Sequence, residues 1–331
     1  MSLEAAEIAV IDVSPLVSRG GGARTVAAEI GGACRELGFF YIRGHDVSSE
    51  LLERLENVSR RFFAQDLETK LRVRMELGGR AWRGYFPVGD ELTSGKPDQK
   101  EGIYFGTELS NDHPKVKAGL PLHGRNLFPD IPGFRDAVLD YMQAMTELAH
   151  RLMEGIALGL GREASYFRDR LTDAPTVLFR IFHYPPLPPQ AEATTWSVGE
   201  HTDYGILTIL LQDETSGLQV KSQGRWIDAP PIPGSFVCNI GDMLDRMTGG
   251  LYRSTPHRVR NRGRHGRLSF PFFFDPNWDA EVTPIFPDRP VSDDQNQRWD
   301  GTSLHTLSGT YGEYLMRKVS KVFPELSRKA L

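Results

Sequence analysis

The segment Gly199-Glu200-His201-Thr202-Asp203-Tyr204-Gly205 is the most informative part of this sequence, and it leads directly into the apolar run from Ile206 to Leu211. In a β-strand successive side chains point to opposite faces, so residues 201 and 203 share one side. One imidazole and one carboxylate are therefore aimed at a common point. A second imidazole follows 54 residues after Asp203, at His257, in the strand-like context Ser254-Thr255-Pro256-His257-Arg258-Val259.

Two histidines and one carboxylate on one face of an octahedral ion form the facial triad that binds non-haem iron(II). Three protein ligands leave three positions open for substrate, cosubstrate and oxygen. Zinc is less well served, because it prefers tetrahedral sites, and catalytic zinc usually has three protein ligands and one water. Taken alone, the pair His201 and Asp203 is more often a hydrogen-bonded surface pair than a metal site.

The segment Arg267-Leu268-Ser269 opens the apolar run from Phe270 to Phe274. Residues 267 and 269 share a face, so a guanidinium and a hydroxyl are placed to grip a carboxylate. Tyr184 offers a phenolic hydroxyl to the same carboxylate. The alternative is that Arg267 belongs with the basic residues before it, which have a solvated pattern: Arg258, Arg260, Arg262 and Arg264.

The surrounding sequence predicts a mainly β protein with flanking helices. Short apolar runs between Gly, Pro and Asp are typical of an antiparallel sandwich or barrel, and they lie at 177–184, 205–211, 217–220, 235–240 and 267–274. Strands are also expected at 8–13 and 39–42 and an irregular segment at 78–133, with helices at 25–37 (capped by Thr25), from Ser48 or Ser49, at 134–160 and at 304–315.

Composition excludes several classes of protein. The 331 residues are 40% apolar and 25% charged, which is ordinary for a globular chain and unlike a disordered, fibrous or disulfide-stapled one. A net charge of −4 gives no electrostatic reason to expect nucleic acid or a membrane as partner. Two cysteines cannot make a disulfide framework. With no recognisable targeting segment, we expect a cytoplasmic protein that is a monomer or a weak homo-oligomer.

Taken together, five segments resemble the isopenicillin N synthase-like iron(II)/2-oxoglutarate-dependent oxygenase family. They occur in family order, and the N-terminal residues Ile11-Asp12 and Gly38-Phe39-Phe40-Tyr41 are similar to the same family, so that nearly the whole chain is covered. The five segments are 201–205, Gly217-Leu218-Gln219-Val220, Asn239-Ile240-Gly241-Asp242-Met243, 254–259 and 267–269.

The resemblance implies a double-stranded β-helix, or jelly roll, with an N-terminal α/β region and lid at 1–120 and the catalytic core at 121–331. It implies that His201, Asp203 and His257 hold Fe(II), and that Arg267 and Ser269, assisted by Tyr184, bind 2-oxoglutarate. The reaction would consume O2, release succinate and carbon dioxide, and oxidise a small molecule, most commonly by hydroxylation. The alternative is an iron oxidase of the same fold that does not use 2-oxoglutarate.

Substrate residues are expected among aromatic side chains of the irregular segment and of the inner strand faces. Phe182 stands where many members have Asn, which favours an apolar wall, and Phe273 shares the face of Arg267. No cluster of basic residues in the irregular segment specifies an anionic substrate, so we expect a small apolar or aromatic one. For each aromatic candidate, core packing is the alternative role. The candidates are Tyr85, Phe105, Phe182, Tyr204 and Phe273.

Overall fold

The structure is a computed structural model that describes residues 7–93, 95–187, 196–261, 263–293, 295–298, 301, 303–306 and 308–323. The strands are β1 (Val10–Asp12), β2 (Phe39–Arg43), β3 (Gly84–Phe86), β4 (Leu92–Thr93), β5 (Lys96–Pro97), β6 (Glu101–Gly106), β7 (Pro175–Tyr184), β8 (Val198–His201), β9 (Leu207–Gln212), β10 (Leu218–Ser222), β11 (Arg225–Asp228), β12 (Phe236–Ile240), β13 (His257–Val259) and β14 (Arg267–Asn277).

The helices of the described residues are α1 (Ser14–Val17), α2 (Ala23–Glu36), α3 (Ser49–Phe63), α4 (Leu67–Lys70), α5 (Pro114–Lys117), α6 (Phe134–Gly159), α7 (Tyr166–Arg170), α8 (Asp242–Thr248) and α9 (Tyr311–Val322). Short 3-10 turns lie at Leu71–Val73, Met75–Ala81 and Gln295–Gln297. Within this part of the chain, no helix combines the length and apolar character needed to cross a bilayer.

Two sheets face each other across a cavity. The larger has the order β1-β2-β12-β9-β14-β7-β6-β3, and every neighbouring pair is antiparallel except β1 with β2. The smaller has the order β11-β10-β13-β8 and is antiparallel throughout. Residues of both sheets line the same cavity. This architecture confirms the predicted fold class, a mainly β protein with flanking helices and a jelly-roll core.

Alternation along the strands sorts side chains between this cavity and a layer of helices. Phe179 of β7 packs against Tyr141 of α6 with ring centroids 5.0 Å apart, and Phe274 of β14 contacts His150 of α6 at 4.8 Å. Burial of each such aromatic ring contributes about 1.5–3 kcal/mol. Helix α6 therefore covers the outer face of the sheet. The alternate side chains of β7 line the cavity instead: Leu178, Arg180, Phe182 and Tyr184.

Most predicted elements are confirmed, with ends that shift by a few residues. The runs at 177–184, 205–211, 217–220, 235–240 and 267–274 correspond to β7, β9, β10, β12 and β14, and the helix predicted at 134–160 is α6. The strands expected at 8–13 and 39–42 are β1 and β2. Ser48 caps α3, since its hydroxyl accepts a hydrogen bond from the Leu51 amide at 3.3 Å.

Two predicted helix boundaries are wrong. Helix α2 begins at Ala23 rather than after Thr25, because Gly22 adopts a left-handed conformation (φ 104°) and serves as the N-cap. Helix α9 begins at Tyr311 rather than near residue 304. A capping box fixes this start: the Thr310 hydroxyl accepts from the Glu313 amide while the Glu313 carboxylate accepts from the Thr310 amide.

The segment 78–133 is less irregular than the sequence predicts, because it contains β3 and β6. All six residues of β6 are buried, and the strand pairs with β7. Its glycines allow close packing: a Cβ at Gly102 would lie 2.7 Å from Phe182, and one at Gly106 would lie 2.6 Å from Arg83. Residues that normally indicate loops here serve a central strand.

Candidate active site

The structure brings His201, Asp203 and His257 together at the cavity. His201 is the last residue of β8, His257 is the first of β13, and the two are paired across the smaller sheet. Nε2 of His201 lies 3.9 Å from Oδ1 of Asp203, and Nε2 of His257 lies 3.7 Å from the same oxygen. Two imidazole nitrogens and one carboxylate oxygen thus converge within 4.8 Å of one another, a donor set that suits iron(II).

Backbone carbonyls orient both imidazoles. Nδ1 of His201 lies 2.9 Å from the Gly199 carbonyl oxygen, and Nδ1 of His257 lies 3.2 Å from that of Thr255. A carbonyl oxygen only accepts, so each Nδ1 carries the hydrogen and each Nε2 keeps its lone pair directed at the cluster. This is the usual orientation of histidine ligands whose second nitrogen is held by the protein.

Two side chains orient the carboxylate. The Thr208 hydroxyl donates to Oδ2 of Asp203 at 2.5 Å, and the Asn239 amide donates to the same oxygen at 2.7 Å. Oδ1 is therefore the oxygen that faces the two histidines. Asn239 lies in one of the recognised motifs without an assigned role, and the sequence pattern shows Thr208 only as part of an apolar strand.

Burial and mutual charge set the protonation of the three groups. Burial lowers the pKa of His201, and burial together with the neighbouring His201 lowers the pKa of His257 to about 4. Burial opposes ionisation of Asp203, but the two imidazoles and the hydrogen bonds to Oδ2 hold its pKa below the usual value. Neutral imidazoles and an ionised carboxylate, the forms that bind a metal, are favoured at neutral pH.

Arg267, Ser269 and Tyr184 form a second group in the cavity. β14 pairs with β7 so that Arg267 lies opposite Tyr184 and Ser269 opposite Phe182. The Ser269 hydroxyl donates to the Tyr184 hydroxyl at 3.2 Å, and the Arg267 guanidinium lies 4.9 Å from the centre of the Tyr184 ring. The three polar groups that the sequence assigned to one carboxylate are therefore in contact.

Arg267 is a buried cation without a carboxylate partner in the described part of the chain. Its side chain belongs to a residue only 1% exposed. Nε donates to the Thr215 carbonyl at 3.0 Å and Nη2 to the Gln212 side-chain oxygen at 2.8 Å. Its Nη1 has no hydrogen-bond partner. Since an unpaired buried charge is costly, this position suits an anionic ligand.

The cavity has a volume of about 190 Å³. Three of the five predicted substrate residues, Phe182, Tyr204 and Phe273, line it together with the metal cluster. The cavity is thus large enough for a small molecule beside the triad, and its walls are partly aromatic.

Tyr85 and Phe105, the other two candidates, are not at the cavity, which corrects their prediction. The Tyr85 hydroxyl donates to Glu101 at 2.6 Å in the core, and Phe105 stacks between Phe128 and Phe179. Alternation along β6 is the reason, since Phe105 pairs with the outward-facing Phe179 while its neighbour Tyr104 pairs with a cavity residue.

Sequence reasoning missed three charged residues of the cavity wall, Arg180, Lys100 and Glu91. Arg180 of β7 lines the cavity with Tyr104, and the Tyr104 hydroxyl donates to Glu91. Lys100 forms ion pairs with Glu91 at 3.0 Å and with Asp98. Arg180 lies four residues before Tyr184 in the same strand and so shares its face, which means that a usable signal was present in the sequence.

Helix α9 closes one side of the cavity. Leu315 and Val319 are among the lining residues that it contributes. The Tyr314 hydroxyl donates to Oδ2 of Asp242 at 2.8 Å, and the Asp242 amide donates to the Asp203 carbonyl at 2.8 Å. A short chain of hydrogen bonds therefore connects the C-terminal helix to the backbone of a metal-cluster residue.

Family models match two parts of the chain. A model described as "non-haem dioxygenase in morphine synthesis N-terminal" matches residues 8–131, and one described as "2OG-Fe(II) oxygenase superfamily" matches residues 175–276. The second match spans β7 to β14, and with them the metal cluster and the Arg267 group.

Individual proteins are similar to this chain over nearly its whole length. A probable iron/ascorbate oxidoreductase of Dictyostelium discoideum is 52% identical over 93% of this chain and 92% of its own length. A homoarginine-6-hydroxylase of Oryza sativa subsp. japonica is 37% identical over 94% of this chain and 96% of its own. The crystal structure of a full-length Neurospora crassa protein in complex with alpha-KG is similar with a TM-score of 0.79 and 28% identity, covering 97% of this chain and 98% of that one.

Proposed function

This chain belongs to the 2-oxoglutarate and iron(II)-dependent oxygenase superfamily, and on that premise we propose that it hydroxylates a small molecule. Such a reaction releases succinate and carbon dioxide. The relative named as a homoarginine-6-hydroxylase supports hydroxylation as the outcome. A cytoplasmic location and a monomeric or weakly self-associating state complete the proposal.

His201, Asp203 and His257 are the proposed iron ligands, through Nε2, Oδ1 and Nε2. Iron bound there supplies the oxygen chemistry of the reaction. The contribution of the protein is to hold three ligands on one side of the ion. The Gly199 and Thr255 carbonyls fix the imidazoles, and Thr208 and Asn239 fix the carboxylate.

Arg267 is the proposed anchor for the carboxylate of 2-oxoglutarate that lies away from the iron, with Ser269 and Tyr184 assisting. The observation that carries this assignment is the free Nη1 of a guanidinium that is 1% exposed. A carboxylate would satisfy that donor and neutralise the charge in one step. The aromatic walls keep water out while a substrate is held at the cluster.

An anaerobic titration of the iron(II)-loaded protein with 2-oxoglutarate tests the proposal. We expect a weak visible charge-transfer band that saturates, and a loss of affinity of at least about 30-fold in Arg267→Gln. Arg264→Gln, an exposed arginine three residues earlier, is the matched control and should titrate like wild type.

The outcomes separate two functions. A saturable band that requires Arg267 supports the 2-oxoglutarate-dependent reaction. Absence of the band from a protein that binds iron would overturn the proposal and favour an oxidase whose own substrate occupies the Arg267 group. An unchanged affinity in Arg267→Gln would move the anchoring role to another residue.

A further inference from the structure

Arg180 is the second buried guanidinium of the cavity. It lies in the middle of β7, it is 8% exposed, and it lines the cavity together with the metal cluster. Its Nη1 donates to the carbonyl oxygens of Phe105 and Phe179, each at 3.2 Å. The guanidinium lies 3.5 Å from the centre of the Tyr104 ring and makes a cation–π contact with it.

No carboxylate of the described ranges forms an ion pair with Arg180. The two acidic groups that act on its charge, Glu91 and Asp275, form their hydrogen bonds with other residues. Glu91 accepts from the Tyr104 hydroxyl and pairs with Lys100. Asp275 accepts from the Tyr311 hydroxyl. Arg180 thus has no ion pair of its own among the described residues at the cavity wall, and Glu91 and Asp275 act on its charge only from beyond ion-pair distance.

The Arg180 position is separate from the proposed 2-oxoglutarate anchor. Arg267 lies opposite Tyr184, four residues along β7 from Arg180. At about 3.3 Å per residue, the two positions are roughly 13 Å apart along the strand. In the proposed function the outer carboxylate of 2-oxoglutarate binds Arg267. Arg180 would then be available to a different anion.

We propose that Arg180 binds a carboxylate of the primary substrate, and that the enzyme therefore acts on small carboxylic acids. This inference rests on the proposed function, because it assigns the substrate of the same site. Tyr104 positions the guanidinium, while Phe182, Tyr204 and Phe273 contact the body of the substrate. The expectation of a small apolar or aromatic substrate considered basic residues of the irregular segment only, whereas Arg180 lies on a strand.

Matched pairs of carboxylic acids and their primary carboxamides provide the test. The panel contains aliphatic, aromatic and amino-acid types, including homoarginine, hexanoate and 3-phenylpropionate. Binding is measured anaerobically on the iron(II) protein saturated with 2-oxoglutarate, from the shift of the charge-transfer band, and turnover from succinate release. We expect acids to bind and their amides not to, and we expect Arg180→Gln to weaken acid binding at least about 30-fold.

Further variants separate anchoring from folding. Arg180→Lys keeps the charge and should retain part of the acid binding, and Arg135→Gln, an exposed arginine of α6, should match wild type. Arg180→Gln should keep wild-type affinity for 2-oxoglutarate, which shows that the fold and the other anchor are intact. Acids and amides that bind equally, a panel without any acid that binds, or unchanged acid binding in Arg180→Gln would overturn the inference. A wild-type protein that fails to bind 2-oxoglutarate would instead contradict the proposed function.

Discussion

The two carboxylate oxygens of Asp203 have different partners. Oδ2 accepts from Thr208 and Asn239, and Oδ1 faces the two histidines. Neither donor is one of the three proposed ligands, yet both determine which oxygen faces the histidines. Partners of this kind typically change metal affinity roughly 10- to 100-fold when they are removed.

The Thr208 hydroxyl is therefore expected to matter for iron binding although it is not a ligand. Thr208→Val keeps the shape of the side chain and removes the donor, so we predict a loss of iron(II) affinity of about 10-fold or more. Anaerobic calorimetric titration with iron(II) measures it.

Thr208→Ser is the matched control, because it keeps the hydroxyl and should retain most of the affinity. If Thr208→Val binds iron as tightly as wild type, then Asn239 alone orients the carboxylate. If Thr208→Ser loses as much affinity as Thr208→Val, the hydroxyl alone is not sufficient and the γ-methyl group, which valine keeps and serine lacks, is also required.

For single residues, the sequence predicted some positions at the cavity correctly and others incorrectly. His201 and Asp203 do face a common point, as predicted, but β8 ends at His201 and Asp203 lies beyond the strand, so alternation is not the cause. The rule of alternation applied to β7 would have found Arg180. Placement in the irregular segment could not distinguish Phe105 from its neighbour Tyr104, because the inward position is known only once the pairing partner is known. In the structure, Tyr104 pairs with Arg180 and so takes the inward position.

Among the elements, strands with their own apolar pattern were predictable, and strands defined by their neighbours were not. β7, β9, β12 and β14 carry continuous apolar runs. β6 is bounded by glycines and becomes a strand because β7 supplies its hydrogen bonds and the core buries it. Helix α9 was displaced for a local reason, the capping box at Thr310, which the apolar pattern does not contain.

The capping box leads to a prediction for α9. Thr310→Ala removes the acceptor for the Glu313 amide, and loss of such a cap costs about 1 kcal/mol. We expect amide hydrogens of residues 311–322 to exchange roughly fivefold faster, as hydrogen–deuterium exchange with mass spectrometry can show.

Ser48→Ala removes the corresponding cap of α3 and serves as the control. It should speed exchange in 49–63 and leave α9 unchanged. Equal effects of both variants on α9 would mean that exchange there reports opening of the whole protein. If Thr310→Ala leaves exchange in α9 unchanged, then burial of Leu315 and Val319, and not the cap, determines the stability of the helix.

In the whole molecule, strands from before and after residue 120 are joined in one sheet around the site. β1 and β2 from the N-terminal region form one edge of the larger sheet, and β6 and β3 form the other. The division at residue 120 stays a prediction about sequence regions, since strands from before it flank the catalytic strands. Pairing between strands far apart in the sequence cannot be read from a local apolar pattern. The order of the five family-like segments therefore predicted the arrangement of the strands better than periodicity did.

Because the site lies between the two sheets, ligands that bind it should stabilise the entire fold. A ligand that binds only the native state at about 100 times its Kd adds about 2.7 kcal/mol, which raises Tm by several degrees. We predict one increment in Tm when iron(II) is added and a second when 2-oxoglutarate follows, both measured by anaerobic thermal unfolding. A chelator should remove both, because the cosubstrate depends on the metal. Arg267→Gln should keep the first increment and lose most of the second, while Asp203→Ala should lose both. A second increment of wild-type size in Arg267→Gln would show that 2-oxoglutarate is held elsewhere in the cavity.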